Sequence, residues 1–188
     1  MHIYLGNSPE IMVQQLHRLM AMSLHQFEIG SLRRVSSSIE VFAGAGSLPV
    51  ATPFAPYTIF PPRIMRHLTQ WTYEQRKMQP GDTIVQQILL PPVEGGVFTI
   101  ICGVRITDVF CTANTAGFSY TTLEGHVEQG LSTFSFEGVG KDAVFKIETW
   151  SRPALPGGAI LAPLFANRYQ AWCTRQALAH VRAQLAVQ

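Results

Sequence analysis

The stretch GFSYTTLEGHVEQG, residues 117–130, sets an imidazole and a carboxyl two residues apart, His126 and Glu128, just after the alternating series Phe118, Tyr120 and Thr122. Residues two apart on a strand point to the same side, so the pair could share a proton or a metal ion. A metal site needs at least three protein ligands and only two are visible, so no metal is expected. As proton-transfer chemistry, His126 or Glu128 would be the base, and Tyr120 or Arg152 would stabilise developing negative charge. The structural alternative has His126 hydrogen-bonding backbone groups to fix a Gly-rich corner. Arg152 stands between an apolar strand and Pro153. It must reach water or pair its planar fork, either with Glu124, Glu128 or Glu148 or with the carboxylate or phosphate of a ligand.

Other chemistries lack their residues. Ser119 and Ser151 are available, but there is no G-x-S-x-G elbow to present a nucleophile. Gly44 and Gly46 lack the third glycine and the lysine of a phosphate-cradling loop, and no cofactor is expected. Cys102, Cys111 and Cys173 cannot all pair within one chain and show no zinc spacing, so they are expected as reduced thiols, with Cys102 buried.

The elements that must hold these residues follow from the periodicity. Ser8-Pro9-Glu10 has the order of a helix start, and a helix over about 9–26 is expected. Alternation from Leu32 to Phe42 predicts a strand with Val35, Ile39 and Val41 on one face. The Pro-rich segment 43–62 is read as an ordered extended connection whose apolar content implies that it covers something. Ile64, Leu68 and Trp71 have helical spacing and predict a second helix ending before Pro80-Gly81. An antiparallel meander follows, with strands at about 82–90, 97–110, 117–124, 131–137 and 143–150. Phe134, Phe136, Phe145 and Ile147 should face inward, and Lys146 and Glu148 outward. A final helix over 160–186 carries the apolar stripe Leu164, Ala171, Leu178, Val181 and Leu185, opposite Arg168, Arg175 and Arg182.

Length and composition bound the whole. A chain of 188 residues is read as a single domain, 1–188, with one sizeable core. Its 47% hydrophobic and 14% charged residues favour an apolar pocket, a homo-oligomer interface, or both. A formal charge of +2 without a basic, aromatic-interleaved patch argues against a nucleic-acid partner. The lack of a long apolar run or signal-like start argues against an integral membrane protein and for a cytoplasmic one.

This order of elements is α+β: a curved antiparallel sheet wrapped around a long C-terminal helix, the helix-grip architecture, with the hot-dog fold as alternative. The stretches GFSYTTLEGHVEQGLSTFSFE, FKIETWSRPA and NRYQAWCTRQAL then resemble the bacterial and plant family called domain of unknown function nineteen-ninety. Gly117, Phe118, Tyr120, Thr122, Leu123, Gly125, His126, Gly130, Phe134, Ser151, Arg152, Pro153 and Tyr169 carry the likeness. Thr121, Glu124, Val127, Leu131 and Ser132 depart from it, the last two where the pattern has an acidic pair, for which Glu128 could substitute. The resemblance implies a START or birch-pollen-allergen type of helix-grip protein and assigns no reaction. The leading expectation is a small apolar or amphipathic ligand held between sheet and final helix. Phe118, Phe134, Phe136, Phe145 and Ile147 would line its cavity, Tyr120, His126 and Arg152 would orient it, and Glu128 is a further ligand-binding candidate. The alternatives are a cofactor-independent cyclase, dehydratase or isomerase using the same cavity, and a cavity-free interaction module.

Overall fold

The computed structural model describes residues 2–3, 9–41, 54, 57–90, 98–138, 143–154 and 162–186, with side chains of the last helix from 168 onward. The elements are β1 (His2–Ile3), α1 (Pro9–Met20), β2 (Arg33–Glu40), β3 (Met65–Thr69), α2 (Gln70–Tyr73), β4 (Thr83–Leu90), β5 (Phe98–Cys111), β6 (Thr115–Thr122), β7 (Glu128–Glu137), β8 (Val144–Pro153) and α3 (Ala162–Leu185). The sheet is antiparallel in the order β2-β8-β7-β6-β5-β4-β3. β1 pairs with residues 100–101 of β5, beyond the reach of β6, which starts pairing at Val104. The run from β4 to β8 is the expected meander, and α3 crosses it against β2 and β8. This is the α+β helix-grip arrangement.

Alternation decides which face each residue serves. The inner face carries one cluster in which Ile84, Val104, Ile106, Phe118, Phe134, Phe136, Phe145 and Ile147 of the sheet meet Ala177, Leu178, Val181 and Leu185 of α3. The stripe of α3 therefore runs through Ala177 as well as the expected Leu178, Val181 and Leu185, with Ala171 half-buried; Leu164 lies outside the described side chains. Arg168, Arg175 and Arg182 are exposed, as the polar face requires. On the outer face α1 packs Leu16 and Leu19 against Val85, Ile101 and Leu123. Gly103 makes room there, since a Cβ would sit within 3.1 Å of Leu19 and Leu123 methyls. α1 stops at Met20, short of the expected 26, where Arg105 donates to the carbonyls of Leu19, Met20 and Met22 and satisfies the helix end.

The helix expected after Pro62 is instead a strand and one helical turn. Met65, His67 and Thr69 alternate with Arg66 and Leu68 along β3, which pairs with β4 over five residues. The Thr69 hydroxyl then accepts from the Thr72 N–H and starts α2. The spacing of Ile64, Leu68 and Trp71 fits a helix, but strand pairing satisfies more backbone groups. From the Pro-rich segment, Phe54, Tyr57 and Ile59 are buried in the inner cluster, so its described residues do cover an apolar surface. All three cysteines are free, and Cys102 is buried.

Candidate functional site

The inward residues of three neighbouring strands form a gradient. Toward one end of the sheet, Phe118 lies opposite Phe134 and Phe136 opposite Phe145. Two residues along, Tyr120 lies opposite Ser132, and Ser132 opposite Thr149. Further still, Gly130 lies opposite Ser151, and β7 begins at Glu128. The inner face thus passes from aromatic rings through hydroxyls to a carboxyl within a few residue steps.

The aromatic end is filled. Phe118 and Phe134 stack with centroids 5.2 Å apart, Phe136 and Phe145 meet at 4.9 Å, and Phe54 lies against Phe118, Phe136 and Phe145. These four strand phenylalanines, expected to line a cavity, are at most 1% exposed and serve here as close-packed core.

The polar end is built around a corner. Leu123 to His126 form a turn closed by the His126 N–H to the Leu123 carbonyl, 3.1 Å, with Gly125 at φ 80°, which glycine adopts without steric cost. The turn aims the His126 ring inward. Its Nδ1 accepts from the Glu128 N–H at 3.0 Å, leaving Nε2–H to donate to Gln86 Oε1 at 3.3 Å. Gln86 Nε2 in turn donates to the Tyr57 hydroxyl at 3.2 Å. Tyr120 completes the chain, in hydrogen-bonding reach of Gln86, Ser132 and Tyr57. Tyr57 sits in the left-handed region, φ 54°, held by this bond and by edge contacts to His67, Trp71 and Phe118. Burial lowers the His126 pKa to about 4 and raises that of Tyr120 to about 12. His126 is therefore a neutral corner residue with both ring nitrogens engaged, which is the structural arrangement expected of a Gly-rich corner.

Glu128 differs. Among the described residues its carboxyl accepts from Gln170 of α3, at Oε2 and 3.2 Å, and the same Gln170 nitrogen donates to Ser151 at 2.9 Å. Among the described residues no cation pairs with it, and burial pushes its pKa up to about 7. Its charge is felt at Cys102, Tyr120 and Cys173, whose own acidities are weakened mainly by burial. Just along α3, the Tyr169 hydroxyl donates to the Leu89 carbonyl at 3.2 Å, so this part of the helix is tied to both β4 and β7.

Arg152 is not part of this cluster. β8 runs to Pro153, so alternation from Phe145 through Ser151 puts Arg152 on the outer face. There it is exposed, donating to Gln129 at 2.9 Å and Ser31 at 3.2 Å, and it borders an open depression of about 450 Å³ with Gln26, Phe27, Glu28 and Ser31. The expected pairing with Glu124, Glu128 or Glu148 is corrected: Glu148 pairs with Arg34 and Lys146, and Glu128 lies on the opposite side of the sheet. No group of three or more His, Cys, Asp or Glu able to hold a metal occurs among the described residues.

Gln86, Gln170 and Tyr57 were missed by the residue patterns and Ser151 was weighed there only as a nucleophile, although all but Tyr57 left a signal. Gln86 interrupts the inward series of Ile84 and Ile88 in TIVQQILL, and Ser151 continues that of Phe145, Ile147 and Thr149. Gln170 lies seven residues, about two turns, before buried Ala177 on α3. A polar residue at a core-facing position is the mark they share.

Two solved structures are similar over 81% of this chain. One is a START superfamily protein from Mycobacterium smegmatis, 16% identical with a TM-score of 0.51 and 98% of its own chain covered. The other is protein CV1439 from Chromobacterium violaceum, 15% identical with a TM-score of 0.50 and 97% covered. The first speaks for the helix-grip fold over the hot-dog alternative. Among curated proteins none matches, and no helix among the described residues is long and apolar enough to cross a membrane. The family described as Domain of unknown function (DUF1990) matches residues 55–180, a span holding the meander, the His126 corner and most of α3, and the chain belongs to that family.

Proposed function

We propose that the protein binds a small amphipathic molecule at the polar end of the inner face, between the β7–β8 strands and α3. The observation that carries this is Glu128, an inward carboxyl anchored at one oxygen by Gln170 and paired with no protein cation among the described residues. A fold has no structural use for such a group, because desolvating it opposes folding. Sites keep such groups for recognition or chemistry. The half-buried Phe60, Ile88, Trp172 and Cys173, which pack at the edge of the inner cluster, offer apolar surface for the rest of the molecule. Tyr120 and the Gln86 chain stiffen the wall beside it.

Native mass spectrometry of the chain purified from its own host tests this reading. A non-covalent extra mass that vanishes on denaturation, and is absent from Ser151→Trp protein in which the indole fills the polar end, is the expected result. Wild-type protein at its bare mass would contradict it.

A second reading draws on the same carboxyl. A glutamate titrating near 7 is matched to general-base work at neutral pH, so proton abstraction from a bound ligand belongs to Glu128 and not to His126. A rate that rises through pH 7 and is abolished in Glu128→Gln, with His126→Gln retaining activity, would distinguish it from binding alone.

A further inference from the structure

The hydrogen-bond polarity of the polar end goes further than its location. Its N–H donors are spent on the protein itself. Gln170 Nε2 serves both Glu128 and Ser151, the His126 Nε2–H goes to Gln86, and the Gln86 amide goes to Tyr57. Ser132 and Thr149 share one bond at 3.0 Å. What remains, beside the Ser151, Ser132 and Thr149 hydroxyls that can donate or accept, is acceptor capacity. Glu128 Oε1 accepts no hydrogen bond from a described residue, and neither does Gln170 Oε1, whose amide is oriented by the carboxylate that its nitrogen serves.

The charge balance points the same way. The titratable groups around Glu128 are His126 at the corner, Cys102 on β5, Tyr120 on β6, Tyr57 from the loop before β3, and Tyr169 and Cys173 on α3. None of these is a cation in its buried state. Nearby arginines are turned away: Arg152 projects from the outer face of β8, Arg168 is exposed on α3, and Arg105 is committed to the end of α1.

We propose that the occupant of this site carries a protonated nitrogen, so that the protein is a receptor for a cationic amphiphile whose ammonium group pairs with Glu128 Oε1 and Gln170 Oε1. The inference rests on the binding site proposed above and assigns its head group. The ligand supplies the countercharge that the sheet and α3 withhold, and pairing with it holds the carboxyl ionised. An anionic ligand would meet the Glu128 carboxylate with no cation among the described residues to offset it, and a neutral alcohol would leave the carboxyl without its countercharge.

Three probes with one body and different heads test it by calorimetry on the full chain: n-octylamine, n-octanol and octanoate. At pH 8 octylamine should bind at least about tenfold more tightly than octanol, and octanoate least tightly. Octylamine affinity should fall by up to ~100-fold between pH 8 and pH 5 as Glu128 protonates, with octanol affinity nearly constant. Glu128→Gln should erase the amine preference and keep octanol binding. If octanol or octanoate matches octylamine at pH 8, or the preference survives Glu128→Gln, the head-group assignment is overturned while the site stands. If none of the three binds, the site and the assignment fall together. The wild-type pH series decides the matter even where the variant folds poorly.

Discussion

The two ends of the inner face are made by the same strands and differ in what each carries two residues further along. Phe118, Phe134, Phe136 and Phe145 fill one end to at most 1% exposure, while Tyr120, Ser132, Gly130, Ser151 and Glu128 leave the other with hydroxyls, a carboxyl and α3's Gln170. Packing at the first end is complete without any partner. The second end spends its N–H donors and leaves over hydroxyls and a carboxyl whose ionised form burial disfavours. A sheet can thus hold its own helix at one end and keep an incomplete site at the other.

The comparison breaks first at the aromatic end. Phe134→Ala removes a ring stacked on Phe118 and touching Tyr120, and should cost about 3–5 kcal/mol by the cavity it leaves. Chemical denaturation of the variant checks this. A loss below ~1 kcal/mol would mean that the aromatic end is loosely packed and is itself a cavity.

Gln86→Leu should cost about 1–3 kcal/mol, because it strands the His126 and Tyr57 polar atoms together. Its thermal midpoint should fall more than that of Arg152→Ala, whose exposed bonds to Gln129 and Ser31 should contribute less than ~1 kcal/mol. A large loss on removing Arg152 would place weight on the outer face instead.

The pH dependence separates the two corner groups. Burial lowers the His126 pKa to about 4, so its contribution to stability is full above its ordinary value near 6.5 and declines as pH falls through that range. Glu128 has the opposite sign. Its pKa is raised to about 7, so stability present below about 4.5 is lost as pH rises toward 7. The two slopes oppose each other between about pH 4.5 and 6.5 and should leave the wild-type profile shallow. Glu128→Gln should uncover a profile that rises with pH across that window, and His126→Gln one that falls, each by ~1–3 kcal/mol. Thermal midpoints of the three proteins across pH 4.5–7.5 provide the check, and parallel profiles would show that neither group is buried as described.

Much of this was legible in the residues. Alternation within β6, β7 and β8 placed Phe118, Tyr120, Phe134, Phe136 and Phe145 on the inner face, and the α3 stripe located the gripped helix. The His126 corner was readable as structural because glycine at 125 and an imidazole next to it suit a tight turn. Three points were not legible. Ending β8 near 150 hid the alternation that turns Arg152 outward, an error of strand length and not of chemistry. The spacing of Ile64, Leu68 and Trp71 fits a helix and a strand followed by one turn equally well, and only the pairing with β4 decides. Gln170 meets Glu128 across 42 residues, a juxtaposition set by where α3 crosses the sheet, which no local pattern encodes.

The most direct test of the account is the titration of the Glu128 side-chain carboxyl carbon by NMR, assigned by its absence in Glu128→Gln. The account predicts a midpoint near 7 in the free protein, moving well below that when octylamine is bound. A midpoint near 4.5, unmoved by the amine, would show an ordinary solvated carboxylate and contradict the interior site.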